Sequence, residues 1–311
     1  MTHKSTHWTN YWRSGTLTSL PQDFAVNYDG DIGSFWNTVF QAVGESGKIL
    51  DLCTGNGAIA ILAAEFSLSQ NKKFSITGVD AASIEKSIVE KKYTDLKEAI
   101  EKIEFIPDCL VENINLPEQS FDLITSQYGI EYCNWQLTAE KIKGLLKPNG
   151  KLVFISHAPS TSIMAFMKVE QSQYDYLSSI GLFNVLENYF VKKTSLGNTL
   201  KKLNSAKTKL KIQISQNQSQ LYLGVLQFLE HVTALTPAQF KVESERIENY
   251  YAQHLFAYQR LQDILNVSEK IMSNEDWYLE FEKAGLKLIE SGDIIQSGSH
   301  NAGKFYKFEN R

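Results

Sequence analysis

Several residues of this 311-residue chain combine reactive side chains with spacing that places them at the ends of apolar runs. The stretch ILDLCTGNGAIAI, from Ile49 to Ile61, puts Asp51, Cys53, Gly55 and Gly57 in a turn between a strand pattern and a helix pattern. Glycines in such a turn let backbone approach a bound molecule closely. A pyrophosphate site would want G-x-G-x-x-G, yet Cys53 stands at the first glycine and no third glycine follows, so a dinucleotide is a poor fit. Asp80 closes ITGVD, and Asp108 with Cys109 follows IEFIP. An aspartate after a strand either caps the next helix or faces a ligand, and each residue alone leaves both open. TSQYGIEYCNW supplies Gln127, Tyr128, Glu131, Tyr132 and Trp135, a polar and aromatic mixture suited to gripping a ring or an amine. His157, in FISHAPS, is a general base or a packed histidine bonded to backbone. Glu131 is a reactive carboxylate beside a cleft or part of a solvated helix face.

These residues need elements to hold them. From Lys48 to Ser156, KILDLC, FSITGVD, IEFIPD, FDLITSQ and GKLVFIS read as strands, separated by the helix patterns NGAIAILAAEFSLS and AASIEKSIVEKKYTDLKEAI. Strands alternating with helices imply parallel βαβ units, hence a doubly wound α/β core with a mostly parallel sheet. LLKPNGKLVFI reads as a helix end, a Pro-Asn-Gly turn and a buried strand. From Ser160 to Met272 strand alternation disappears. Leu196, Leu200, Leu203, Leu210, Ile214, Leu221 and Phe228 fall on a heptad seam interrupted by Lys207 and Asn217, and Phe240, Ile247, Tyr251, Tyr258, Leu261 and Leu265 form a second seam. Between them TPAQ predicts a capping box with Thr236 as N-cap and Pro237 at the first helical position. The pattern predicts an antiparallel helical hairpin. SNEDWYLEFEKAG then predicts a helix capped by Ser273 and ending at Gly285, followed by LKLIESGDII and KFYKFE as a terminal β-hairpin around the loop QSGSHNAG. The domain plan is an aromatic-rich amino-terminal segment over 1–43, an α/β domain over 44–159 and 273–311 with a seven-stranded sheet, and a helical insertion over 160–272.

Composition narrows the function. With 43% hydrophobic residues the chain can bury a sizeable core, and its net charge of -4 argues against a general nucleic-acid or anionic-membrane binder. No apolar run approaches the roughly 20 residues of a spanning helix, and MTHKSTHWTNYW lacks a signal-peptide core. A cytoplasmic protein is expected. Cys53, Cys109 and Cys133 lack the close pairing of a zinc site and are odd in number, which suits a reducing compartment; they read as small buried hydrophobes, and no residue demands a metal.

Taken in order, these motifs resemble class I S-adenosylmethionine-dependent methyltransferases over Lys48 to Ser156 plus the terminal hairpin. Asp51, Cys53, Gly55 and Gly57 are similar to the family's first motif, with cysteine small enough to replace the first glycine. The resemblance implies that Asp51 orders the turn and reaches the donor's amino group through water, that Asp80 accepts from both ribose hydroxyls, and that Asp108 and Cys109 recognise the adenine. It places Gln127 and Tyr28 on the donor as well. By the same likeness the segment HWTNYWRSGTLTSLPQDFAVNYDGDIGSFW is a lid, with Trp8, Tyr11 and Trp12 as lid or substrate candidates.

Methyl transfer requires in-line placement, exclusion of water and, for an acidic acceptor, a base. His157 and Glu131 are the candidates for that base, and Tyr11, Trp12, Tyr128 and Tyr132 for gripping the acceptor. No Pro-Pro-Tyr or Pro-Cys signature follows the fourth strand, which disfavours the best-known nucleic-base types. In this fold the insertion commonly covers the substrate. Its stretch from Val191 to Lys211 carries seven lysines and no acid, a solvated face or a docking surface for an acidic partner. Three readings follow: a methyltransferase acting at oxygen or nitrogen of a small or medium-sized metabolite; one acting on a macromolecular or carrier-bound acceptor docked on the lysine-rich insertion; or a donor-binding but inactive scaffold whose hairpin pairs with a partner or with a second copy.

Overall fold

A computed structural model describes residues 6–19, 24–298 and 300–311. Part of the aromatic-rich amino-terminal segment and part of the loop QSGSHNAG lie outside the described residues. The chain divides into two compact units, Met1–Pro159 with Val267–Arg311, and Ser160–Asn266.

The first unit is built on seven strands: β1 (Lys48–Leu52), β2 (Ser75–Val79), β3 (Ile103–Ile106), β4 (Phe121–Gln127), β5 (Leu146–Ser156), β6 (Leu286–Gln296) and β7 (His300–Asn310), in the order β3-β2-β1-β4-β5-β7-β6. The strands β1 to β5 pair in parallel, while β7 runs antiparallel to both β5 and β6. The sheet is therefore mixed, because a short loop can join only antiparallel neighbours. Side chains alternate across it. Ile49, Leu123, Val153 and Ile155 enter one apolar layer, with the helices Gly30–Gln41 and Ala58–Ser69 packed on it. Leu50, Leu52, Ile124, Leu152 and Phe154 enter the other, with the helix Trp135–Leu145 and the short helix Leu279–Lys283. Both faces being covered explains why the strands read as nearly continuous apolar runs. The strand order reverses between β1 and β4, so their carboxyl ends open a crevice there.

Two helix expectations in this unit differ from the structure. AASIEKSIVEKKYTDLKEAI is a helix at Lys86–Lys92, a 3-10 turn at Thr94–Leu96 and a helix at Lys97–Glu101. Tyr93 leaves the helical region at φ -120° and ψ 73°, and Thr94 and Asp95 favour turns over helix interiors. Ser273 is the last residue of the preceding helix and caps nothing; Gly285, at φ 95°, does stand just past a helix end.

The second unit is helical: Thr161–Ser179, Leu182–Phe190, Leu196–Gln216, Gln220–Ala234, Pro237–Val242 and the start of Ser244–Ser273. The first seam is not one helix. It breaks at Asn217, where backbone turns extended and Ser219 accepts from Tyr222 N at 3.1 Å to cap a new helix. The helices on either side of the break pack on each other, and the seam lysine Lys207 donates to Thr233 Oγ1 at 2.6 Å. The Thr236 capping box forms as the sequence dictates. Among the described residues no helix is long and apolar enough to cross a membrane.

Candidate active site

The glycine turn leaves β1 at the crevice. Asp51 shares a sheet face with Ile49 and stands opposite Thr125 in the β1–β4 register. It is buried, and accepts from Thr54 Oγ1 at 2.6 Å and Thr125 Oγ1 at 2.8 Å. Burial lifts its carboxyl to about 7 against the pull of these two hydroxyls. Cys53, Gly55 and Gly57 all take left-handed backbone, at φ 53°, 53° and 88°. A Cβ at Gly55 would stand 2.5 Å from the Trp12 indole, and one at Gly57 2.7 Å from the Phe105 ring, so both positions demand glycine by space as well as by angle.

Asp80 binds the turn together. Its Oδ2 accepts from Gly55 N at 2.7 Å and its Oδ1 from Ala82 N at 2.7 Å. Burial raises this carboxyl to about 6, opposed by those two N–H groups. The following loop is docked by Cys109 N donating to Asp80 O at 2.9 Å. Asp108 is exposed, at φ 56°, and takes the Ser83 hydroxyl at 2.5 Å; Cys109 is half-buried. This pair stands at the rim.

The amino-terminal segment lies over the turn. Asn56 Nδ2 donates to the carbonyls of Trp12 and Thr16, both at 2.8 Å. Thr9 Oγ1 accepts from Ser83 N at 3.0 Å. Trp12 thus sits on the glycine turn, Tyr11 bonds to Thr18 O at 2.9 Å, and rings run on through Trp8 to Tyr132, whose centroids are 6.1 Å apart. Tyr28 is buried against Phe24 and lies 6.2 Å from Tyr128, with burial holding its phenol un-ionised. Gln127 Oε1 accepts from Trp36 Nε1 at 2.5 Å. Its buried Nε2 has the Tyr28 phenol in its neighbourhood but no partner within hydrogen-bond length.

Next to the turn stands the pair His157 and Glu131. Glu131, on the 3-10 turn Ile130–Tyr132, is 0% exposed, so the solvated-face reading is corrected. Its Oε1 takes His157 Nδ1 at 2.7 Å and His157 N at 2.9 Å, while Oε2 is buried with no partner. His157 keeps 24% of its side chain exposed and lies with its ring tilted 35° to that of Tyr128, centroids 4.8 Å apart, with Tyr132 at 6.1 Å. Tyr128 holds an unusual φ of 52°, fixed by its N–H on Ile155 O at 2.8 Å and its hydroxyl on Ala302 O. Trp135 turns to the other layer, under Lys270 and beside Trp277. Sequence reasoning missed Thr54, Thr125, Asn56, Trp36 and Ser83. Their partners lie in register or across loops, and only the Thr54 to Asp51 spacing left a local signal.

A family model described as a methyltransferase domain matches residues 44–285, more than half of the chain. The chain belongs to the S-adenosylmethionine-dependent methyltransferase family. The methyl donor of this methyltransferase family is S-adenosylmethionine, and the residues present fit it: a turn free of side chains at two glycines, an acid at the end of β2, and an orphaned buried amide at Gln127. Among curated proteins none matches the chain. Solved structures of similar fold include the YcgJ protein from Bacillus subtilis, with 18% identity over 46% of this chain and 57% of that one at a TM-score of 0.35. Another is the geranyl diphosphate C-methyltransferase from Streptomyces coelicolor, solved with Mg2+, geranyl diphosphate and S-adenosyl-L-homocysteine, with 13% identity over 40% and 44% at 0.34. A third is a chain of the Haloferax volcanii complex that contains the Trm112 methyltransferase activator, with 17% identity over 50% and 63% at 0.39. The chain thus covers less than two thirds of the length of each, and at these scores they carry no argument about acceptor or partner.

Proposed function

We propose that this chain transfers a methyl group from S-adenosylmethionine to oxygen or nitrogen of a small or medium-sized metabolite. When bound, the donor supplies an electrophilic methyl group on a sulfonium. Asp51, Cys53, Gly55, Gly57, Asp80, Asp108, Cys109, Gln127 and Tyr28 hold it, and Tyr11, Trp12, Tyr128 and Tyr132 hold the acceptor. The observation that carries the proposal is the His157–Glu131 contact of 2.7 Å. A fully buried carboxylate fixes Nδ1, so Nε2 is the ring atom left to take a proton from the acceptor, beside the rings of Tyr128 and Tyr132. Three free cysteines support a cytoplasmic placement.

The macromolecular reading rests on the lysine-rich helix Leu196–Gln216, but Lys207 is engaged by Thr233 and Lys211 by Glu230 at 2.7 Å, both inside the helical unit. The test is calorimetric titration with S-adenosylmethionine and S-adenosylhomocysteine, followed by incubation with metabolite mixtures and mass spectrometry for products one methylene heavier. Turnover that is insensitive to salt supports the proposal. Turnover only on an acidic macromolecule, suppressed by salt, replaces it with the docking reading; binding without any turnover leaves the inactive scaffold.

Donor affinity also carries a pH signature. Asp80 and Asp51 hold protons up to about 6 and about 7, and only the ionised carboxylates are pure acceptors. Affinity is therefore full at slightly alkaline pH and falls as pH drops through this window, by up to about tenfold per pH unit for each proton taken up. Titrations from about pH 8 to about pH 5 check this, and Asp80→Asn should lose the lower step. A flat profile would remove Asp80 from donor binding.

A further inference from the structure

Cys53 and Cys133 are 80 positions apart in sequence, yet their Sγ atoms lie 3.7 Å from each other. Both thiols are free and half-buried. Cys53 occupies a left-handed position, which costs a non-glycine residue roughly 1–2 kcal/mol, and it fits only because residue 129 has no side chain: a Cβ there would stand 2.3 Å from Cys53 Cβ. Glu131 and Tyr132 sit between Gly129 and Cys133, so the two sulfurs join the glycine turn to the loop that carries the His157 partner.

We propose that Cys53 and Cys133 are a redox-active dithiol that a hydroperoxide closes to a disulfide, and that closure weakens the donor turn. The second half rests on the reading of that turn as the donor site; the first does not. Cys133 reacts first. Lys270 Nζ donates to the Cys133 carbonyl at 3.3 Å, placing a cation beside this residue, whereas the hydrogen bond with Cys133 and burial, and after them the charges of Asp80 and Glu131, hold the Cys53 thiol protonated. The Cys133 thiolate attacks a peroxide oxygen; the O–O bond breaks, a sulfenic acid forms, and the departing hydroxide leaves as water with the proton that Cys133 gave up. The Cys53 sulfur then attacks the sulfenic sulfur; the S–S bond forms, the S–O bond breaks, and hydroxide leaves as water with the Cys53 proton. Two thiols lose two electrons and two protons, and one hydrogen peroxide becomes two waters. A disulfide spans about 2.05 Å, so the sulfurs must close from 3.7 Å while Gly129 backs directly on Cys53, and the displacement falls on the turn or on the Glu131 loop.

The test exposes the reduced wild-type protein to hydrogen peroxide, alkylates it under denaturing conditions, and maps the thiols by peptide mass spectrometry beside calorimetry with S-adenosylhomocysteine. The expected result is a Cys53–Cys133 linked peptide, Cys109 alkylated, donor-site affinity at least tenfold weaker, and recovery with dithiothreitol. In Cys133→Ser the affinity should no longer respond to peroxide. A bond to Cys109, or Cys133 overoxidised while Cys53 stays alkylatable, overturns the dithiol. A Cys53–Cys133 bond with unchanged affinity overturns the switch. If reduced protein binds no donor compound, the donor reading itself fails, and the peptide map still decides the dithiol.

Discussion

Asp80→Ala is expected to weaken S-adenosylmethionine and S-adenosylhomocysteine binding by at least about a hundredfold. Under the proposed function the carboxylate has two duties. It accepts from Gly55 N and Ala82 N, each at 2.7 Å, and so fixes the backbone that a donor must lie along. It also keeps lone pairs for a diol. Removing it leaves two N–H groups unanswered, which loosens the turn, and deletes two hydrogen bonds from the diol to a charged group, worth about 1.5–3 kcal/mol each. Even the lower end of these terms passes the roughly 2.7 kcal/mol of a hundredfold change. Calorimetry reads the affinity, and circular dichroism with a thermal melt checks that the sheet survives. Asp80→Asn retains one acceptor and the shape, so it should fall between wild type and alanine. If the alanine variant folds and binds as tightly as wild type, Asp80 is only a structural cap.

The second large effect belongs to the acceptor side. His157→Ala should lower kcat by about 10²–10⁴-fold, the range for a positioned general base, with donor affinity unchanged. In the proposed reaction Glu131 acts through His157, as a positioning residue. In Glu131→Gln the carbonyl oxygen can still accept from His157 N, but the charge that would balance a protonated ring is gone. A smaller fall in kcat with little change in KM is expected. Turnover of the acceptor found by mass spectrometry supplies kcat and KM. Unchanged kcat in both variants would leave the contact as packing and point to an acceptor that needs no base.

The α/β core was legible because its signals are local. Ile49, Leu50 and Leu52 form a buried run whatever follows, and Gly55 and Gly57 announce a turn that side chains cannot make. The capping box at Thr236 was legible for the same reason, since its two partners are three residues apart. The seam from Leu196 to Phe228 misled because a heptad count does not weigh Asn217 and Ser219, whose side chains and backbone favour a break. The environment of Glu131 was illegible: nothing near it in sequence tells that the chain returns His157 to it after a whole strand, and the burial of a carboxylate is a property of that return. The approach of Cys53 to Cys133 has the same origin.

The amide of Asn56 gives the amino-terminal segment a thermodynamic voice in ligand capture. One side chain of the glycine turn grips two carbonyls of that segment, at Trp12 and Thr16, so the turn and the segment cannot change state independently. Whatever free energy the donor gains from an ordered turn is shared with the segment, and linkage makes the exchange reciprocal. If the turn is the donor site, as proposed, a ligand that favours the ordered turn stabilises the docked segment, and pulling the segment away raises the dissociation constant by the same factor. Under the proposed function, donor affinity would then depend partly on residues that precede the first strand.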